Sequence, residues 1–201
     1  MPAAIVRPAL VLTALLMLLT GALYPAIVTG LAQLAFPAQA NGSLVSREGR
    51  VVGSALIGQG FTRPEYLHPR PSAAGDGYDG MASSGTNKGP TDAKLADTLV
   101  AGAVGRIIAE DGATRGAIPA DYATSSGSGL DPHVSPAAAL LQVQRIAQAR
   151  AVDPARVRAL IEQRIEQRTV GLLGEPRVNV LLVNLDLDRE LPLRGAATTR
   201  P

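Results

Sequence analysis

Serine, aspartate and histidine crowd together in the stretch Thr124-Ser125-Ser126-Gly127-Ser128-Gly129-Leu130-Asp131-Pro132-His133-Val134-Ser135-Pro136. These are the residue types of nucleophilic catalysis, in which an aspartate orients a histidine that takes the serine proton. Ser125, His133 and Asp121 supply the set, but nothing in their spacing demands a triad. A nucleophile elbow needs G-x-S-x-G, and Ser126-Gly127-Ser128-Gly129 misses that register. A phosphate-cradling P-loop needs G-x-x-x-x-G-K-[ST]. Neither Gly127 to Asp131 nor Gly85 to Gly89 satisfies it. Two other readings stay open on the residues alone. In one, Asp131 and Ser135 hold a helix entrance while His133 bonds nearby backbone. In the other, an ordered loop at a helix N-terminus forms a recognition surface.

Three more constellations bear on chemistry. Arg70-Pro71-Ser72 sets a guanidinium in a rigid proline frame, which suits either bidentate capture of a carboxylate or phosphate, or a tie from the loop to its own fold. Asn179 and Asn184 lie in an apolar run that reads as a strand, where they would point to opposite faces and need buried partners. Asp186 and Asp188 would share a strand face with Asn184, as a cation site or a solvated strand end. The chain has no cysteine and only two histidines, His68 and His133. That excludes disulfides and thiolate sites, and argues against a histidine-rich metal site. A net charge of +2 with 3% aromatic residues gives no nucleic-acid footprint.

The elements that position these residues divide in two. No charged residue occurs between Arg7 and Arg47, and residues 9–34 are almost wholly apolar. About 20 residues span a bilayer core, so this run predicts one transmembrane helix. Pro25 and Gly30 are tolerable in such a helix, and Thr13, Thr20, Thr29, Gly21 and Ala26 offer small surfaces for packing. Ala38-Gln39-Ala40 resembles a signal-peptidase site, but the apolar run far exceeds a signal h-region of roughly 7–15 residues, so an uncleaved anchor is expected. The flanking arginines do not settle its orientation.

Beyond it, residues 43–57 read as a β-hairpin turning at Glu48-Gly49. Gln59 to Pro90 is rich in Gly, Pro and Ser, yet carries Phe61, Tyr66 and Tyr78, and is expected to be ordered and irregular. Helices are predicted from Thr91 through Ala109, with Gly112 past the end, and from the caps Ser135-Pro136 and Asp153-Pro154. Residues 177–185 are expected as a central strand, apolar on both faces. The class is α+β: a tail over 1–8, a transmembrane helix over 9–36, one soluble domain over 41–193 and a flexible tail over 194–201. No internal repeat is visible.

The motifs then assemble. They are Gly53-Ser54-Ala55-Leu56-Ile57-Gly58-Gln59, Tyr66-Leu67-His68-Pro69-Arg70-Pro71-Ser72-Ala73, Ser84-Gly85-Thr86-Asn87-Lys88-Gly89-Pro90, Ile118-Pro119-Ala120-Asp121, Ser128 to Pro136, and Gly174-Glu175-Pro176-Arg177-Val178-Asn179-Val180-Leu181. With the single anchor before them, they resemble the KdpC family, the small subunit of the bacterial Kdp potassium-transporting P-type ATPase. The resemblance runs to about Leu187. Thr86 departs from the serine more usual there.

The resemblance implies an accessory subunit of a potassium-uptake complex rather than an enzyme. Its partners would be a KdpA-like potassium-binding subunit, a KdpB-like ATP-hydrolysing subunit and a KdpF-like small helix, in the bacterial cytoplasmic membrane. It also implies a chaperone role that raises the pump's affinity for ATP, with nucleotide shared between subunits and no cofactor of its own. The Gly/Ser loop Ser125 to Asp131 would be the nucleotide-sensing element. The same resemblance places the soluble domain outside the cytoplasm, where it could not touch cytosolic ATP; the alternative is a docking or gating role at the potassium entrance. Candidates for partner or nucleotide contact are Gln59, Tyr66, Arg70, Ser72, Asn87, Ser125, Ser128, Asp131, His133 and Asn179. A membrane-anchored hydrolase using His133, and a structural protein unrelated to transport, are the remaining alternatives.

Overall fold

The structure is a computed structural model that describes residues 2–193. The expected tail over 194–201 lies outside the described residues. The chain divides after Val52 into two compact units.

The first unit is helical before it is extended. Helix α1 (Pro2–Leu18) runs through a wide π-helical turn at Leu19–Leu23 into α2 (Tyr24–Ala35). The wide turn has a local cause. Pro25 lacks an N–H, and its ring would strike the carbonyl four residues before it, so the helix expands just ahead of the proline. The Thr20 hydroxyl donates to the Leu16 carbonyl at 2.7 Å and satisfies an acceptor next to the break. Ala4–Ala35 is 32 residues and contains an 18-residue window of mean hydropathy 2.1, long and apolar enough to cross a membrane. A short helix α3 (Pro37–Ala40) follows, then strand β1 (Leu44–Arg47), which pairs with β2 (Arg50–Ser54). Glu48 and Gly49 both take positive φ, +52° and +77°, as a tight two-residue hairpin turn requires.

In the second unit, the irregular segment expected over Gln59–Pro90 is ordered and contains no helix or strand. The next helix starts later than predicted, and Thr91 does not cap it. Instead the Asp92 carboxylate accepts from the Lys94 N–H at 2.8 Å. Lys94–Val100 is π-helical and α4 (Ala101–Asp111) continues it, ending at Gly112 with φ +66°. Helix α5 (Ala120–Ala123) and the Gly/Ser loop lead to strand β3 (His133–Val134). Helices α6 (Pro136–Leu141), α7 (Val143–Arg150) and α8 (Pro154–Gln163) follow, then β4 (Ile165–Glu166), β5 (Arg177–Asn179) and α9 (Val180–Glu190). Both predicted caps form: Ser135 accepts from the Ala138 N–H and Asp153 from the Ala155 N–H.

The three short strands make an antiparallel sheet in the order β3-β5-β4, with Val178 opposite both Val134 and Ile165. Val178, Ile146, Val157, Ile161, Val183 and Leu187 form the centre of one aliphatic core.

A larger expectation is also overturned. Residues 177–185 are not a long central strand; the strand ends at Asn179 and a helix begins at Val180. A run apolar on all sides fits a buried helix as well as a buried strand, so periodicity could not separate them. Asn179 decides the local outcome: its Oδ1 accepts from the Leu182 N–H at 3.1 Å, a side-chain cap that starts the helix. Asn184, Asp186 and Asp188 therefore share no strand face. Asp186 pairs with Arg164 and Arg189, and Asp188 with Arg150.

Candidate functional site

Arg70 is the joint of the irregular segment. Its Nη1 donates to Asp131 Oδ2 at 2.8 Å, its Nε to the Thr124 carbonyl at 3.3 Å and its Nη2 to the Ser125 carbonyl at 3.3 Å. The guanidinium thus fastens the Gln59–Pro90 segment to the Gly/Ser loop. Ser72 adds a second stitch, donating to the Gly129 carbonyl at 2.6 Å and accepting from the Tyr78 N–H at 2.8 Å. A third is the Ser128 carbonyl, which accepts from the Ser84 N–H and the Ser83 hydroxyl, both at 3.0 Å. Gly129 makes this approach possible. It has φ +67°, and a Cβ there would lie 2.5 Å from the Ser84 carbonyl oxygen and 2.7 Å from the Ala74 nitrogen.

Asp131 serves both neighbours. Burial pushes its carboxyl up, but the side-chain and backbone hydrogen bonds of His133 and the Arg70 guanidinium outweigh burial and hold it below its ordinary value. The His133 N–H donates to Asp131 Oδ1 at 2.9 Å, and His133 Nδ1 lies 3.5 Å from the same oxygen. The triad drawn on paper does not form. Both oxygens of Asp121 are engaged by Ser135, from its N–H at 2.7 Å and its hydroxyl at 2.9 Å. Among the described residues, no serine hydroxyl is hydrogen-bonded to His133.

The structure therefore brings six candidates together: Arg70, Ser72, Ser125, Ser128, Asp131 and His133. Asn179 adjoins them across the sheet, its Cα paired with that of His133, while its Nδ2 donates to the Ala55 carbonyl at 2.8 Å. Gln59 follows Gly58, whose N–H donates to the Leu130 carbonyl at 2.8 Å. Asn87 is exposed, at φ +53°. Tyr66 stands apart: its hydroxyl donates to Asp188 at 3.1 Å, and the Arg150 guanidinium lies 5.2 Å from its ring centre. Burial first, and then the Asp188 carboxylate, raise its pKa.

Tyr66 leads to Arg150, Arg145 and Gln142, which sequence reasoning missed, and to Asn184, for which it expected buried partners. Arg150 is 1% exposed and donates to the carbonyls of Glu65, Leu187 and Leu191 at 2.7–2.9 Å, and to Asp188 at 3.0 Å. Arg145 binds Asp111 at 2.7 Å and the Pro64 and Tyr66 carbonyls at 2.7 and 2.9 Å. The Gln142 and Asn184 side chains pair with the backbones of His68 and Leu67 as a neighbouring strand would. One signal is present in the sequence: Arg150 lies three residues after Ala147, on the apolar face of its helix.

Among the described residues, three clefts adjoin the Arg70 joint, and two of them reach the Gly/Ser loop. One, of about 490 Å³, is lined by Arg70, Asp131, His133, Glu175 and Arg177 among others. The other, of about 370 Å³, is lined by Ser72, Thr86, Lys88, Lys94, Leu99 and Ser125 among others.

Fold and site together define a domain that follows a candidate membrane helix and carries polar, interlocked loops in which, among the described residues, no serine is hydrogen-bonded to His133. Comparison with known proteins gives the family. Residues 6–189 match the family described as KdpC: K+-transporting ATPase, c chain. A potassium-transporting ATPase KdpC subunit from Gemmatimonas aurantiaca is 63% identical over 183 residues, covering 90% of this chain and 91% of that protein. Those from Myxococcus xanthus and Rhodospirillum rubrum are 59% and 54% identical, covering 90% and 93% of this chain and 86% and 96% of theirs. The chain belongs to the KdpC family of potassium-transporting ATPase subunits.

Proposed function

We propose that this subunit performs no chemistry of its own and acts by docking: its two interlocked loops present a preformed surface to the other subunits of a potassium-uptake ATPase. One observation carries the reading. Arg70 gives Nε, Nη1 and Nη2 to the Gly/Ser loop and its aspartate, so the guanidinium acts as a weld and the loops behave as one body. A surface ordered before binding loses little freedom on association, which favours tight assembly. The partners are a potassium-binding subunit and an ATP-hydrolysing subunit. The domain lies outside the cytoplasm, where it stabilises or gates the potassium entrance.

Arg70→Glu tests this. Two carboxylates would then face each other at the joint, and the loops would part. The expected result is loss of growth on micromolar potassium and loss of co-purifying subunits, with the core still folded by circular dichroism. Normal growth would contradict the docking role.

A second reading, a shared nucleotide that raises the pump's ATP affinity, has one supporting observation. Lys94 lines the cleft of about 370 Å³ beside Ser125, and its ammonium meets no carboxylate among the described residues. If that charge holds a phosphate, Lys94→Gln raises the ATP concentration for half-maximal hydrolysis by the purified complex. An unchanged value removes this reading.

A further inference from the structure

The hairpin between β4 and β5 ends in an aliphatic tip that the domain itself does not cover. Val170 is 84% exposed, Leu172 80% and Leu173 65%. Three large side chains lie within four residues, an apolar patch on the order of 300–400 Å², a size that is often functional on a soluble surface.

The tip is also built against its own folding preference. Val170 has φ +50° and Gly171 φ +76°. A turn of this kind favours Asn or Gly at its first central position, and a β-branched residue there is strained. Folding alone would remove valine from this position; a use for its side chain explains its presence. The turn is nonetheless firmly made. The Thr169 N–H donates to the Leu173 carbonyl at 2.9 Å, the Leu173 N–H to the Thr169 carbonyl at 3.0 Å and the Gly171 N–H to the Arg168 carbonyl at 3.0 Å. These groups are therefore satisfied if the tip leaves water.

The base of the hairpin distinguishes two apolar surroundings. A loop that enters lipid usually carries an unpaired basic collar and aromatic anchors. Here Arg168 pairs with Glu175 at 2.5 Å, Arg177 pairs with Glu166 at 2.9 Å, and the tip holds no aromatic residue. The finger is electrically neutralised from within, which matches an uncharged protein groove. Its exposed area is roughly half of the ~800 Å² that each side of a standard protein interface contributes. Glu175 and Arg177 also line the cleft that holds Arg70, Asp131 and His133, so the finger starts at the rim of the proposed docking surface.

We infer that Val170, Leu172 and Leu173 form an apolar finger that inserts into an uncharged groove on another subunit of the same ATPase. This rests on the docking reading above and names the element that anchors it.

The test uses the full chain, co-produced and purified with its partner subunits. A photo-crosslinking amino acid replaces Leu172 in one variant and Ser125 in another. The expected result at Leu172 is a covalent adduct with another subunit, identified by mass spectrometry. An adduct with lipid, an adduct with a second copy of this chain, or no adduct would overturn the finger. If Ser125 links to a subunit while Leu172 does not, the finger falls and the docking reading stands; if neither links, both fall. Val170→Gly gives an independent measurement. It relieves the turn, so thermal stability holds or rises, while co-purified partner falls about tenfold, as for loss of an interface anchor. Full assembly by a Val170→Gly chain of undiminished stability would also overturn it.

Discussion

Two arginines do opposite work with the same chemistry. Arg70 sits part-exposed and joins two surface loops, whereas Arg150 is buried and ties Glu65, Leu187 and Leu191 together through their carbonyls. A buried cation is tolerable only where its donors are spent. Arg150→Met keeps the bulk but takes the donated hydrogen bond from the Glu65 and Leu191 carbonyls, while the Leu187 carbonyl keeps the Leu191 N–H and Asp188 keeps the Tyr66 hydroxyl. The domain is expected to lose about 3 kcal/mol or more, read from urea unfolding. His68 gives a pH signature. Burial first, then the Arg145 guanidinium, lower its pKa; the Arg63 carbonyl and Glu110 oppose them, and Arg106 adds to the lowering. Glu110 lies 3.3 Å from Nδ1 but is not aligned to bond it. The folded state therefore holds a neutral imidazole while the unfolded chain takes the proton first. Stability is full above the unfolded pKa of about 6.5 and falls as acid takes the pH below it, until the folded pKa is passed. Replacing His68 by Gln should flatten that part of the stability profile; an unchanged slope would show that other groups carry it.

At the scale of elements, what can be read in the chain is what is decided locally. Ser135-Pro136, Asp153-Pro154 and Glu48-Gly49 act through neighbours within three or four residues, and all three form as expected. The run from Arg177 to Leu185 has no such local determinant, because being apolar on every side reports burial and not period. Its one informative residue, Asn179, reads as a strand amide in the sequence and is a helix cap in the fold. The candidate site is legible in part. Arg70, Ser72 and the Gly/Ser loop can be picked out as polar irregular motifs, but their mutual bonds span more than fifty residues and no spacing rule reaches that far. The same distance hides Arg145 and Gln142. The close approach at Gly129 yields an element-scale prediction. Gly129→Ala would force a Cβ to within 2.5 Å of the Ser84 carbonyl at a positive φ. About 1–3 kcal/mol should be lost, and the loops should separate. Limited proteolysis would then cut within Gln59–Pro90; resistance equal to the parent chain would refute the stitching.

At the scale of the whole molecule, the central matter is the side of the membrane on which the second unit lies. The absence of cysteine makes the measurement clean. Ser128 is exposed, so Ser128→Cys offers a single thiol. Under the docking reading it reacts with a membrane-impermeant maleimide in intact spheroplasts. A cysteine beside Arg7 should react only after lysis. Labelling of position 128 only after lysis would transfer the case to the nucleotide reading.

The bonds that hold residues 63–68 also set an order in time. Leu67 meets Asn184 across 117 residues, Tyr66 meets Asp188 across 122, and Arg150 meets Glu65 across 85. Contacts this distant in sequence are slow to form, because the chain entropy is lost before the contact rewards it. Residues 63–68 are made early in synthesis and have no helix or strand of their own to settle into. Gln142, Arg145 and Arg150 hold part of their backbone, and Asn184 and Asp188 of α9 complete the set. The segment is therefore completed only once α9 is in place, and a chain cut short before α9 would keep the Gln142, Arg145 and Arg150 bonds to it but lack those of Asn184 and Asp188. Under the docking reading, competence to join a complex is in this way conditional on α9 having been made.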